Sequence, residues 1–190
     1  MSISTKDLAE PMREFRAPRT MTPAELGDNL ARLVWESFTD FISDGDADVS
    51  LESLGVRTED GVPDAHAAEE ALIFLMWAHT RGAQLAFVGR ASEDLVRAGL
   101  DSLHEAVFED MVLQGTPRSH LPIFEQRVGA RYSEYNAAAE VSDARLGQTA
   151  VRHLTGRDEP NESSQAVTER ALAVANPLRD FLEEVELVAD

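Results

Sequence analysis

No cysteine occurs among these 190 residues, so disulfides, thiolate metal ligands and thiol nucleophiles are excluded together. Lysine is nearly absent as well: sixteen of the seventeen basic residues are arginine, and Lys6 is the exception. A phosphate loop of the form Gly-x-x-x-x-Gly-Lys therefore has no place in the chain, and Schiff-base chemistry has no lysine beyond position 6. Gly-x-Ser-x-Gly, the turn that exposes a hydrolase serine, is also missing. The longest unbroken apolar run, 71–78, falls far short of the roughly 20 residues that span a bilayer. No hydrophobic segment follows residues 1–6, so no export signal is read there. These absences predict no membrane association and a cytoplasmic location.

Charge is the compositional feature that stands out. Thirty-five acidic residues against seventeen basic ones give a formal net charge of −18, a surface that repels phosphate backbones and argues against nucleic-acid binding. Three explanations stand for this acidity. A dense carboxylate surface stays hydrated in a salt-rich medium, a GC-rich codon bias exchanges lysine for arginine, and an acidic surface attracts a basic partner.

What the chain does have is helical periodicity. Two long apolar-periodic runs, 64–88 and 92–114, are separated only by Gly89-Arg90-Ala91, a link that predicts an antiparallel αα-hairpin. Before them, Thr22-Pro23 reads as an N-cap followed by proline at the first helical position, opening a helix to about residue 43. Pro122 opens a fourth helix that breaks or bends near Ser142-Asp143 and continues to about Leu154. Residues 164–189 are helical in pattern, with a kink or split expected at Asn176-Pro177. The expected architecture is an all-α bundle of five to seven helices around the central hairpin. It forms a single domain over 21–190, preceded by a loosely ordered arm over 1–20.

The hairpin carries the most suggestive polar residues. His79 lies in the middle of the apolar stripe of Leu72, Leu75, Met76, Ala83 and Ala86, where an aliphatic residue would be the default. His104 flanks the stripe of Val96, Leu100, Leu103, Val107 and Met111, with Asp101 three residues before it on the same surface. His79 lies eleven residues before Arg90 and Asp101 eleven after it, so a closely packed hairpin would bring all three side chains to one level. Imidazole and carboxylate are ligands that Zn²⁺ or a non-haem iron accepts, which makes His79, Asp101 and His104 a candidate metal site with Arg131 and Tyr132 behind it. The alternative is a structural network in which each histidine satisfies a backbone carbonyl or a neighbouring side chain. Neither Glu-x-x-His nor His-Glu-x-x-His occurs, so the known di-iron and zincin patterns are not matched.

Four further features call for partners. Arg131 projects near the stripe of Phe124, Val128 and Tyr135, where a guanidinium requires a carboxylate or an anionic ligand. Trp77 falls off the main stripe of its helix and is a candidate interface residue, as tryptophan is enriched at interface hot spots. Because Phe74, Ala78 and Leu85 also lie off that stripe, the helix is apolar nearly all round. It is either central or covered on one side by a second copy of the chain. The acidic amphipathic end, 181–188, reads as a capping helix or a docking segment. The run Asp44-Gly45-Asp46-Ala47-Asp48 begins like a calcium loop but has Val49 in place of the turn glycine and Gly55 in place of the final glutamate.

With no catalytic signature, the sequence favours a non-enzymatic protein–protein interaction or assembly adaptor that acts through a protein partner or self-association and needs no cofactor. The alternative is a small helical enzyme or ligand carrier holding a single divalent metal ion such as zinc or iron.

Overall fold

The computed structural model describes residues 19–42, 54, 56, 63–158 and 164–189, and the aspartate-rich run 44–48 lies outside them. A short strand, β1 (Arg19–Met21), leads into α1 (Pro23–Ile42), followed by α2 (Ala65–Phe87) and α3 (Glu93–Leu113). A single 3-10 turn, Arg118–His120, precedes α4 (Leu121–Val141). Then come α5 (Asp143–Thr155), α6 (Ser164–Leu182) and a second short strand, β2 (Val185–Leu187). Among the described residues this is an all-α bundle of six α-helices, within the expected range, with a two-stranded parallel ribbon as its only sheet.

The helices begin where the chain supplies caps. Thr22 and Glu25 cap α1 reciprocally: Glu25 N–H donates to Thr22 Oγ1 at 3.3 Å, and Thr22 N–H donates to Glu25 Oε2 at 2.9 Å. Asp64, Ser92 and Ser142 accept from the backbone N–H three residues on, opening α2, α3 and α5. Ser142 therefore ends α4 and starts α5, which is the break expected there. Gly89 turns the chain between α2 and α3 with φ of +71°, a backbone region costly for residues bearing a β-carbon.

The spine of the bundle is α2. Every residue from Glu70 to Thr80 is buried, so its apolar circumference is covered by other helices of the same chain: chiefly α6 and α1, then α5 and α4. No second copy is required to cover it. The consecutive helices α2 and α3 do not pack face to face along their length; α3 lays its stripe of Leu100, Leu103, Val107 and Met111 on α1 instead. Two glycines set that crossing. A β-carbon on Gly27 would lie 2.7 Å from the backbone nitrogen of Leu103, and one on Gly99 would lie 2.7 Å from Leu26 Cδ2. Backbones that approach this closely exclude side chains from the contact point, and periodicity alone does not reveal such a pairing.

Two expectations for the C-terminal region are corrected. The helix α6 runs through Pro177 without the expected split, although the proline leaves the carbonyl of Ala173 without its usual N–H donor. The acidic end is not helical beyond Leu182: Val185 and Leu187 turn inward from β2, which pairs in parallel with β1 in the register Arg19 with Val185 and Met21 with Leu187. Arg90 fastens this corner. Its guanidinium donates to the carbonyls of Ala86, Leu182, Glu183 and Val185 at 2.6–3.1 Å.

Candidate functional site

Because α2 and α3 part after their short link, a cleft of about 510 Å³ opens between them, with α4 closing its inner end. Phe87, Val88, Val96 and Leu100 line its apolar part, and Thr80, Asp101, His104 and Tyr132 its polar end. A directed hydrogen-bond chain runs across that end. The Leu100 carbonyl takes one ring proton of His104, so the other nitrogen, Nε2, accepts from Tyr132 Oη at 3.0 Å. Tyr132 Oη in turn accepts from Thr80 Oγ1 at 3.2 Å. Burial lowers the His104 pKa, with Asp101, the Leu100 carbonyl and Glu125 opposing the shift. Burial also pushes the Tyr132 hydroxyl well above its ordinary value. Burial therefore favours the neutral forms of both His104 and Tyr132, which are hydrogen-bonded to each other.

His79 is not part of this group. Its Nδ1 donates to the Leu75 carbonyl at 2.8 Å, and its ring faces a separate cavity between α1 and α6. Burial lowers its pKa, with the Leu75 carbonyl opposing the shift. The expected meeting of His79, Asp101 and His104 at one level therefore does not occur, because it required α2 and α3 to pack together. Among the described residues no three His, Asp or Glu side chains gather in a metal-holding arrangement. Of the expected neighbours, Tyr132 does reach His104, whereas Arg131 points elsewhere.

Arg131 finds the carboxylate its position demands. Glu70, fully buried on α2, receives Arg131 Nε at 2.8 Å and Nη2 at 3.0 Å, a two-pronged pair. Beside it Glu134 accepts from Arg152 at 2.6 Å and from His153 Nε2 at 2.8 Å. Burial would raise the Glu134 carboxyl, but His153, Arg131 and Arg152 together hold it below the ordinary carboxylate range. Burial and Arg131 hold His153 below its own ordinary value. Trp77, the candidate interface residue, is only 4% exposed: its ring stacks on Phe74, tilts against Tyr135, and donates from Nε1 to Asn136 Oδ1 at 2.9 Å. It is a core residue, since α4 covers the side of α2 that seemed free.

Sequence reasoning missed a larger groove, of about 780 Å³, along the contact of α1 and α3. Among the described residues five carboxylates border it, Asp28, Glu36, Asp40, Glu109 and Asp110, against one cation, Arg32. Arg32 is itself bonded to Glu36 at 2.7 Å. Apolar surface is interleaved with the acids: Trp35 lies in the groove wall, edge-on to Phe38, and Leu113 at its end is 83% exposed. The signal was present as acids and a tryptophan at helical spacing on α1, but only the α1–α3 pairing puts them opposite Glu109 and Asp110.

Compared with known protein families, with curated proteins and with solved structures, the chain matches none. No described helix is long and apolar enough to cross a membrane.

Proposed function

We propose that this chain is a non-enzymatic interaction module that docks a basic, amphipathic segment of a partner protein in the groove between α1 and α3. The observation that carries the reading is the composition of that groove among the described residues: Asp28, Glu109 and Asp110 line it around Trp35 and an exposed leucine, while its arginine, Arg32, is already paired with Glu36. Such a surface complements a helix or extended segment that presents lysine or arginine beside an apolar anchor. A second copy of this chain, carrying a net charge of −18, is a poor occupant. The internally satisfied His104–Tyr132–Thr80 chain supports a role without catalysis. The metal-dependent alternative needs His79, Asp101 and His104 to share one ion, and their placement offers it no support.

The test is calorimetric titration with an amphipathic peptide that alternates leucine with lysine and arginine at helical spacing. Glu109→Lys with Asp110→Lys should weaken binding by about tenfold or more, because rim charges opposite a cationic ligand are then reversed. Glu183→Lys with Glu184→Lys, an equal charge change far from the groove, should leave affinity within about twofold. Equal weakening by the two pairs would mean that only net charge is read, and the groove assignment would fall. Absence of binding to the unaltered protein would also sink it.

A further inference from the structure

The cavity that His79 faces has the makings of a second, unrelated site. It measures about 370 Å³ and lies between α1, α2 and α6. Leu33 of α1 with Val174, Pro177, Leu178 and Phe181 of α6 forms its walls, so it is chiefly apolar. An apolar cavity of about 150 Å³ already accepts benzene, which scales this one to two fused rings or an equivalent aliphatic body.

Its polar groups are few, and most of them accept. His79 is 2% exposed and its Nδ1 is bonded to a carbonyl, which only accepts; Nδ1 therefore carries the ring proton. That leaves Nε2 of the neutral ring as a lone-pair acceptor with no hydrogen-bond partner among the described residues. Ala173, also in the lining, has a carbonyl that receives no N–H from position i+4, because that position is Pro177. Ser37 adds a hydroxyl that both donates and accepts. Among the described lining residues the one charged group, Arg32, is matched by Glu36. Nε2 is thus an acceptor without a protein partner at the cavity surface, and a ligand that supplies a donor there gains a hydrogen bond.

We propose that this cavity binds an uncharged, largely apolar small molecule bearing a hydroxyl group, whose O–H donates to His79 Nε2. Among the described residues the site shares only Arg32 with the lining of the partner groove, and its test does not depend on that reading.

The probes are 2-naphthol and 2-methylnaphthalene, which have nearly the same shape and differ in the hydroxyl. Binding to the full chain is followed by naphthol fluorescence and by competition. The unaltered protein should bind 2-naphthol with saturation, and about tenfold tighter than 2-methylnaphthalene, as one added hydrogen bond to His79 Nε2 implies. His79→Phe keeps a ring in place but removes the acceptor, and should bring the two affinities together. Ala173→Trp, a change at an exposed position whose new side chain fills the cavity, should abolish binding of both. Circular dichroism on each variant separates loss of the site from loss of the fold. No saturable binding to the unaltered protein would overturn the proposal. So would a preference for naphthol that persists in His79→Phe, or binding that is indifferent to Ala173→Trp in a folded variant.

Discussion

Glu70 and Arg131 face each other across α2 and α4 as a two-pronged ion pair in which the acid is fully enclosed and the base keeps a fifth of its side chain in solvent. The two halves of the pair are therefore not equivalent. Arg131 also reaches Glu134 at 3.4 Å and has water at hand, whereas Glu70 has no route to solvent.

That asymmetry predicts the order of a mutant cycle. Arg131→Met strands a buried carboxylate and should cost about 3–5 kcal/mol in urea unfolding. Glu70→Leu leaves an arginine able to turn toward Glu134 and solvent, and should cost less, about 1–3 kcal/mol. The double variant Glu70→Leu, Arg131→Met should recover to within about 1–2 kcal/mol of the unaltered protein, since well-packed apolar replacements often match a buried pair. Simple addition of the two single costs would contradict the pairing.

Arg90 predicts a local effect rather than a global one. Four carbonyls at the end of α2, the end of α6 and β2 share its guanidinium. Arg90→Ala should lower stability by about 1–2 kcal/mol, and Arg90→Lys should restore only part of it, because one ammonium cannot bridge all four acceptors. Hydrogen exchange at Arg19 and Val188, whose amides close the ribbon on Glu184 and Met21 at 3.0 Å, should accelerate before exchange in α2 does. Unchanged exchange there would mean that Arg90 is a bystander.

Acid sensitivity should begin at the histidines. His79, His104 and His153 all titrate below their ordinary value in the folded protein, with burial as the leading cause. Near pH 7.5 the rings are neutral in both states. As pH falls below about 6.5 the unfolded chain takes up these protons first, so stability is lost until the folded-state values are passed. Glu134, also lowered, adds a loss only at more acidic pH. Urea midpoints should fall between pH 7.5 and 5.5, and the fall should be shallower in His104→Gln. A constant midpoint over that interval would refute the assignment.

The helices were legible because their signals are local. Thr22-Pro23, Asp64, Ser92 and Ser142 cap within three residues, and the demand of Arg131 for a carboxylate follows from its own helix face. What was not legible was which helix meets which. A three-residue link made α2 and α3 natural partners, yet the fit of Gly27 and Gly99 sends α3 to α1, and with it go both the supposed metal group and the location of the groove. Trp77 was misjudged for the same reason: its exposure depends on α4, which lies well over thirty residues away in the chain. The ribbon escaped notice because each strand has three residues and its partner is at the other end of the described chain.

The parallel sense of that ribbon has a mechanical consequence. Tension applied backward from Arg19 and forward from Val188 would pull the two strands past each other lengthwise, loading the Arg19–Glu184 and Val188–Met21 bonds together instead of peeling them one at a time. The joint resists as a clasp in shear, and a force along the chain would have to break it before it could reach α1 or α6.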